Sequence, residues 1–126
     1  GRVVNAKAEK GQEVLKEMVA TENGDKIGEF SLTDSRLSRI TKFMATTLYD
    51  ENVGGENGNM HIALGSAYQD SYPGDPSTVK KKEWEEMGYN DSVVHTDIVT
   101  TAKKEVTALL KGGERKMIYK DGKYLI

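Results

Sequence analysis

The sequence predicts an α+β fold, in which helices flank a mixed sheet and an antiparallel hairpin region closes the chain. Three observations support this prediction. Residues 11–22 carry apolar side chains at helical spacing, and residues 27–33 alternate apolar and polar side chains as a half-buried strand does. Asp121-Gly122 is a dipeptide typical of tight hairpin turns.

The first half of the chain is predicted to contain two strands and two helices. Residues 2–8 read as a strand, and the helix of residues 11–22 should end at Asn23-Gly24. The strand of residues 27–33 is followed by an apolar stripe at helical spacing, which predicts a second helix capped by Asp34 or Ser35. That stripe consists of Leu37, Ile40, Met44 and Leu48.

The second half alternates loops, one helix and several strands. Residues 52–59 form a glycine-rich loop before a short buried strand, MHIALG. Asp75-Pro76 starts a helix that runs through Lys80–Met87 and stops at Gly88. The run SVVHTDIV has β-branched residues on both faces and predicts a central strand. Further strands are expected near 104–110, at 115–120 and over Lys123–Ile126.

Composition places the chain among ordinary globular proteins with one modest domain of 126 residues. The net charge of -2 provides no basic field for nucleic acid or an anionic membrane, so neither partner is expected. Cysteine is absent, which excludes disulfides and thiolate metal sites. No apolar run approaches the length of a membrane span, and the cytoplasm is the expected location.

The two histidines of the chain, His61 and His95, both lie in apolar strand-like runs. His95 and Asp97 are two residues apart on a strand and project to the same face. They form either a corner of a metal site or a hydrogen-bonded pair in the core. His61 has the same two interpretations. Glu29 lies within a strand, where it either needs a partner or faces solvent from a sheet edge.

Together these residues favour a metal site. Two histidines and several carboxylates, near apolar strands and without cysteine, suit zinc, cobalt or manganese. Two such metals about 3.5–4 Å apart are a known hydrolytic arrangement. Glu51 and Glu56 flank the glycine-rich loop, and a solvated loop carboxylate is the ordinary alternative for each.

Five segments carry a resemblance to a known family: IGEFSLTD, TLYDEN, HIALGSAY, NDSVVHTDIV and KMIYKDGKYLI. In these segments the chain resembles the M29 metallo-aminopeptidases, the family of aminopeptidase T, aminopeptidase S and PepS. The resemblance extends over the whole of this chain, which corresponds to about the last third of the family's length. It implies a C-terminal catalytic part, residues 1–126, of a longer enzyme whose N-terminal domain is absent here.

The resemblance also implies roles for individual residues. The implied metal ligands are Glu29, His61, His95 and Asp97. Glu51 and Tyr68 are the implied catalytic residues, although Glu56 stands at the family spacing before His61 and competes with Glu51 for the loop carboxylate role. One further ligand glutamate of the family would lie upstream of this chain.

The activity implied is the removal of N-terminal residues from peptides by a dinuclear centre of zinc, cobalt, manganese or magnesium. The implied partners are peptide substrates, the absent N-terminal domain and a second copy in a homodimer. Alone, this chain is expected to bind one metal or none and to be inactive. The alternative is a non-enzymatic dimerisation or interaction domain that retains the peptidase fold.

Overall fold

The computed structural model describes residues 1–125 as three α-helices and six strands. The helices are α1 (Gln12–Ala20), α2 (Thr47–Asp50) and α3 (Lys81–Glu86), and a 3-10 turn spans Pro76–Thr78. The strands are β1 (Ile27–Thr33), β2 (Asn59–Gly65), β3 (His95–Thr100), β4 (Glu105–Leu109), β5 (Arg115–Lys120) and β6 (Lys123–Tyr124). These elements confirm the predicted α+β class. Of the last predicted strand, Ile126 lies outside the described residues.

The strands form two three-stranded sheets, with the orders β1-β2-β3 and β4-β5-β6. The pairs β4–β5 and β5–β6 are antiparallel, as the hairpin pattern predicts. Asp121 and Gly122 both take positive φ, at 49° and 74°, which is the backbone twist that a two-residue hairpin turn requires. The prediction that SVVHTDIV is a central strand is wrong, because β3 is an edge strand and β2 lies in the centre.

Two further predictions fail because side chains take the backbone hydrogen bonds. Residues 2–8 are not a strand: only Arg2 pairs, with Lys26, and the backbone of Ala6 and Ala8 bonds to the side chain of Gln12.

The long helix predicted after Asp34 is also absent. Within residues 35–50, the α-helical part is the single turn α2. The side chain of Asp34 accepts from Arg36 and Tyr124, and Ala45 takes a positive φ of 56° that a helix cannot contain.

The chain divides into two compact units. The first comprises residues 1–30 and 62–98, and the second comprises residues 31–61 and 99–126. In the first unit, the buried Asn90 donates to the carbonyls of Asn23 and Gly65. In the second, the fully buried Tyr119 donates to the carbonyl of Thr33. Within residues 1–125, none of the helices is both long and apolar enough to cross a membrane.

Asp34 is the main electrostatic anchor of the second unit. Its side chain is fully buried, and it accepts hydrogen bonds from the Arg36 guanidinium and the Tyr124 backbone amide. The hydrogen bond from Arg36 is the largest influence, and it holds the pKa of Asp34 well below its usual range even though burial opposes this. The carboxylate therefore stays ionised in the folded protein far into the acid range.

We expect Asp34→Asn to lower the free energy of unfolding by about 1.5–3 kcal/mol at pH 7, because hydrogen bonds to a charged group are lost. The pKa of Asp34 is lower in the folded state than in the unfolded state. The contribution of Asp34 to the free energy of unfolding is therefore complete above the pKa of the unfolded state, about 4. It declines as the pH falls towards the pKa of the folded state. Urea unfolding of both proteins between pH 7 and pH 3 measures this.

The matched control for this experiment is Asp91→Asn, since Asp91 is exposed. The stability difference between wild type and Asp34→Asn should shrink towards pH 3, while the control stays close to wild type. A difference that is the same at pH 7 and pH 3 would contradict the assignment.

Candidate metal centre

The His95 imidazole lies between two carboxylates of the first unit. Its Nε2 atom is 3.5 Å from Glu29 Oε2 and 3.5 Å from Asp97 Oδ1. These distances exceed a normal hydrogen bond. They match two ligands of one tetrahedral ion, which lie roughly 3.4 Å apart when each is about 2.1 Å from the metal. His95 Nε2 therefore stands at ligand-like spacing from each of the two carboxylates.

Asp97 carries an oxygen that the protein itself does not satisfy. Its side chain is 9% exposed, and Oδ1 is buried without a hydrogen-bond partner among residues 1–125. A buried oxygen acceptor without a donor costs about 1–3 kcal/mol, and more when it is charged. A bound cation removes that cost, so the site fits a metal ion.

A backbone carbonyl determines which nitrogen of His95 can bind a metal. His95 Nδ1 is 2.7 Å from the carbonyl oxygen of Ser66. A carbonyl only accepts hydrogen bonds, so Nδ1 must carry the proton. In the neutral ring this leaves the lone pair on Nε2, the atom that faces the two carboxylates. His95 is thus prepared to act as an Nε2 ligand.

Close backbone approach places Ser66 against His95. Gly65 has a φ of 95°, and a Cβ atom there would lie 2.0 Å from the carbonyl oxygen of Val94. Only glycine fits such a position. The Ser66 amide then donates to that same Val94 oxygen, so Ser66 lies beside the residue that precedes His95.

The side chain of Asn90 stabilises this turn through a hydrogen bond to its backbone. It is 4% exposed, and its Nδ2 donates to the Gly65 carbonyl at 2.6 Å. The sequence analysis did not identify Ser66 or Asn90 as contributors to the site. The signal that could have identified Asn90 is its position as a polar residue shortly before the strand β3. No feature of the sequence identifies a backbone carbonyl such as that of Ser66.

His61 makes the same type of hydrogen bond as His95. It is 2% exposed on β2, and its Nδ1 is 2.9 Å from the carbonyl oxygen of Glu51. The same argument assigns the proton to Nδ1 and the lone pair to Nε2. Glu51 directly follows α2, where the buried Asn59 donates to the carbonyl of Asp50 at 3.3 Å. The sequence analysis did not identify Asn59 as a support for this turn.

Three of the implied ligands, Glu29, His95 and Asp97, lie together in the first unit, where His95 Nε2 faces both carboxylates. His61, the fourth, belongs to the second unit.

The implied catalytic residues lie near these ligands in different ways. The ring of Tyr68 is 4.9 Å from the ring of His95, and Tyr68 is 60% exposed. Glu51 touches His61 through its backbone carbonyl, and its side chain accepts from Asn52. Glu56 is exposed in the loop.

The chain is similar to a known protein family and to several known proteins. The family model described as Thermophilic metalloprotease (M29) matches residues 1–124. Aminopeptidase AmpS of Bacillus subtilis (strain 168) is 34% identical over 128 residues, which are 98% of this chain and 30% of that protein. Aminopeptidase T of Thermus aquaticus is 34% identical over 130 residues, covering 100% of this chain and 30% of the relative.

A solved structure gives the same result for the fold. Wild-type AmpT from Thermus thermophilus superposes with a TM-score of 0.80 at 29% sequence identity. The match covers 100% of this chain and 30% of that chain. The chain therefore spans about 30% of the length of the relatives that it matches.

We expect Asp97→Asn to weaken zinc or cobalt binding by at least about 10–100-fold, the loss typical of removing even a supporting group at a metal site. The amide removes the negative charge that attracts the ion. Competition against a chromogenic chelator measures the dissociation constant. Asp91→Asn, an exposed carboxylate in the same unit, should bind metal as wild type does. Equal affinities for Asp97→Asn and wild type would show that Asp97 is not a ligand.

Proposed function

Because this chain belongs to the M29 metalloprotease family, we propose that it forms the catalytic C-terminal part of a metal-dependent aminopeptidase. The substrates would be peptides, from which single N-terminal residues are hydrolysed. Glu29, His61, His95 and Asp97 would be the ligands that this chain contributes to a dinuclear centre. The observation that carries the proposal is the buried, unsatisfied Oδ1 of Asp97 beside an imidazole Nε2.

The same observation speaks against the non-enzymatic alternative. A domain that kept the fold only for association would gain nothing from a buried carboxylate oxygen without a donor. In addition, the Nδ1–H groups of both imidazoles donate hydrogen bonds to backbone carbonyls, which fixes both rings more firmly than packing requires. Both features are explained together if the side chains hold a cation.

Divalent metals, when bound, supply a Lewis acid for the peptide carbonyl and lower the pKa of a water molecule. This chain's residues would do the rest. The Ser66 and Glu51 carbonyls keep the two imidazoles oriented. Tyr68, next to His95, would donate its hydroxyl proton in a hydrogen bond to the oxygen that gains charge. Glu51 would accept a proton from the attacking water as general base.

The number of metals depends on the ligands available. Two dications close together repel each other, and bridging carboxylates offset that repulsion. Glu29 and Asp97, which stand on either side of His95 Nε2, would be the carboxylates that this chain offers for that role. We propose that this chain alone holds one ion, and that a further glutamate of the whole protein is needed for the second.

The proposed assembly is a homodimer that resides in the cytoplasm. Several large apolar side chains of residues 37–49 are exposed, which favours burial against a partner. They are Leu37, Phe43, Met44, Leu48 and Tyr49.

The experiment is an assay with the chromogenic amide of leucine in the presence of cobalt or zinc. We expect the whole protein that contains this chain to release the chromophore, and chelation or His95→Gln to lower the rate by at least about 100-fold. The chain alone should be inactive. The proposal fails if chelation and His95→Gln leave the whole protein fully active. Full activity of the isolated chain would contradict the need for an outside ligand.

A further inference from the structure

A cavity of about 610 Å³ opens in the first unit. Its wall is mainly aromatic and apolar. The side chains that matter here are Phe30, Tyr72, Trp84, Met87 and Tyr89. The volume falls within the range of small-ligand sites, which are typically about 300–1,000 Å³ and mostly apolar.

Three aromatic rings form one continuous wall. The ring of Trp84 lies 5.1 Å from that of Tyr72 and 5.1 Å from that of Tyr89, at tilted or edge-on angles. Such ring pairs stabilise one another in a fixed arrangement. The wall is therefore preformed and does not need the ligand to assemble it.

The cavity shares two residues with the candidate metal centre. Glu29 and Tyr68 both line it, and both stand beside His95. A peptide end bound at these two residues would therefore lie at the wall of the cavity. Phe30 directly follows Glu29 on β1 and also lines the cavity.

We propose that this cavity binds the side chain of the substrate's N-terminal residue and selects large apolar or aromatic side chains. The inference rests on the proposed function for the identity of the ligand. Phe30 and Met87 would be specificity-determining residues, because each lines the cavity while being 54% and 52% exposed. Filling the cavity would remove these apolar surfaces from water.

The test uses amino-acid amides as probes and Trp84 as the reporter. Trp84 is the only tryptophan of the sequence, and its fluorescence reports on ligands that bind beside it in the first unit. L-Phenylalaninamide should change the emission saturably and bind at least about 10-fold more tightly than L-alaninamide. N-acetyl-L-phenylalaninamide should bind more weakly than L-phenylalaninamide, since the proposed occupant is a residue with a free amino group.

Phe30→Ala should reduce the preference for L-phenylalaninamide over L-alaninamide by about 10-fold. The matched control is Leu109→Ala, because Leu109 is an exposed apolar residue that does not line the cavity. Circular dichroism confirms that both variants fold.

Three results would overturn the inference. They are equal affinity for the two amides, an unchanged preference in Phe30→Ala, and tighter binding of L-lysinamide, which would make Asp70 at the cavity wall the determinant. Metal titration of the same samples distinguishes failure of the cavity proposal from failure of the proposed enzymatic function. Intact metal binding without amide preference removes only the subsite, whereas amide preference without metal binding removes the enzymatic role.

Discussion

Two hydrogen bonds from imidazole rings to backbone carbonyls are the constraint on which the site depends. His95 donates to Ser66 and His61 donates to Glu51, at 2.7 and 2.9 Å. Each bond fixes a ring orientation and leaves Nε2 with its lone pair. Without them, either ring could rotate or change tautomer, and a proton could face the site instead of a lone pair. The carboxylates would then have no fixed partner for sharing an ion.

These carbonyls are held by parts of the fold that have no chemical role themselves. Gly65 allows the backbone to pass close to Val94, and Asn90 ties the same peptide down from a buried position. On the His61 side, the single turn of α2 and the buried Asn59 perform the corresponding task. The fold therefore supports the site mainly through backbone placement, and the ligand side chains add to a geometry that is already present.

The sequence predicted those elements whose side-chain pattern is local. The alternation in residues 27–33 predicted β1, and Asp121-Gly122 predicted the last hairpin, because strand period and turn conformation depend on neighbouring residues. The helix after Asp34 failed because its apolar spacing competes with a carboxylate that bonds to Tyr124, 90 residues away. Such a long-range partner leaves no trace in a local pattern.

The candidate site shows the same division. His95 and Asp97 could be paired from their spacing on one strand, and Glu29 and His61 were candidates from their places in apolar strand-like runs. The family resemblance assigned roles to Glu51 and Tyr68. The roles of Ser66 and Asn90 could not be predicted, because one acts through its backbone and the other through a buried amide. The aromatic cavity was also missed, since Phe30 and Trp84 are 54 residues apart and meet only in the fold.

The most direct test of the central claim is the tautomer of the two histidines, measured by long-range ¹H–¹⁵N NMR on the metal-free protein at a pH well above the usual imidazole range. His61→Gln assigns the two sets of signals. We predict that both rings carry the proton on Nδ1, and that added zinc shifts both Nε2 resonances and leaves both Nδ1 protons in place. Rings protonated on Nε2, or Nε2 resonances that do not respond to zinc, would contradict the account.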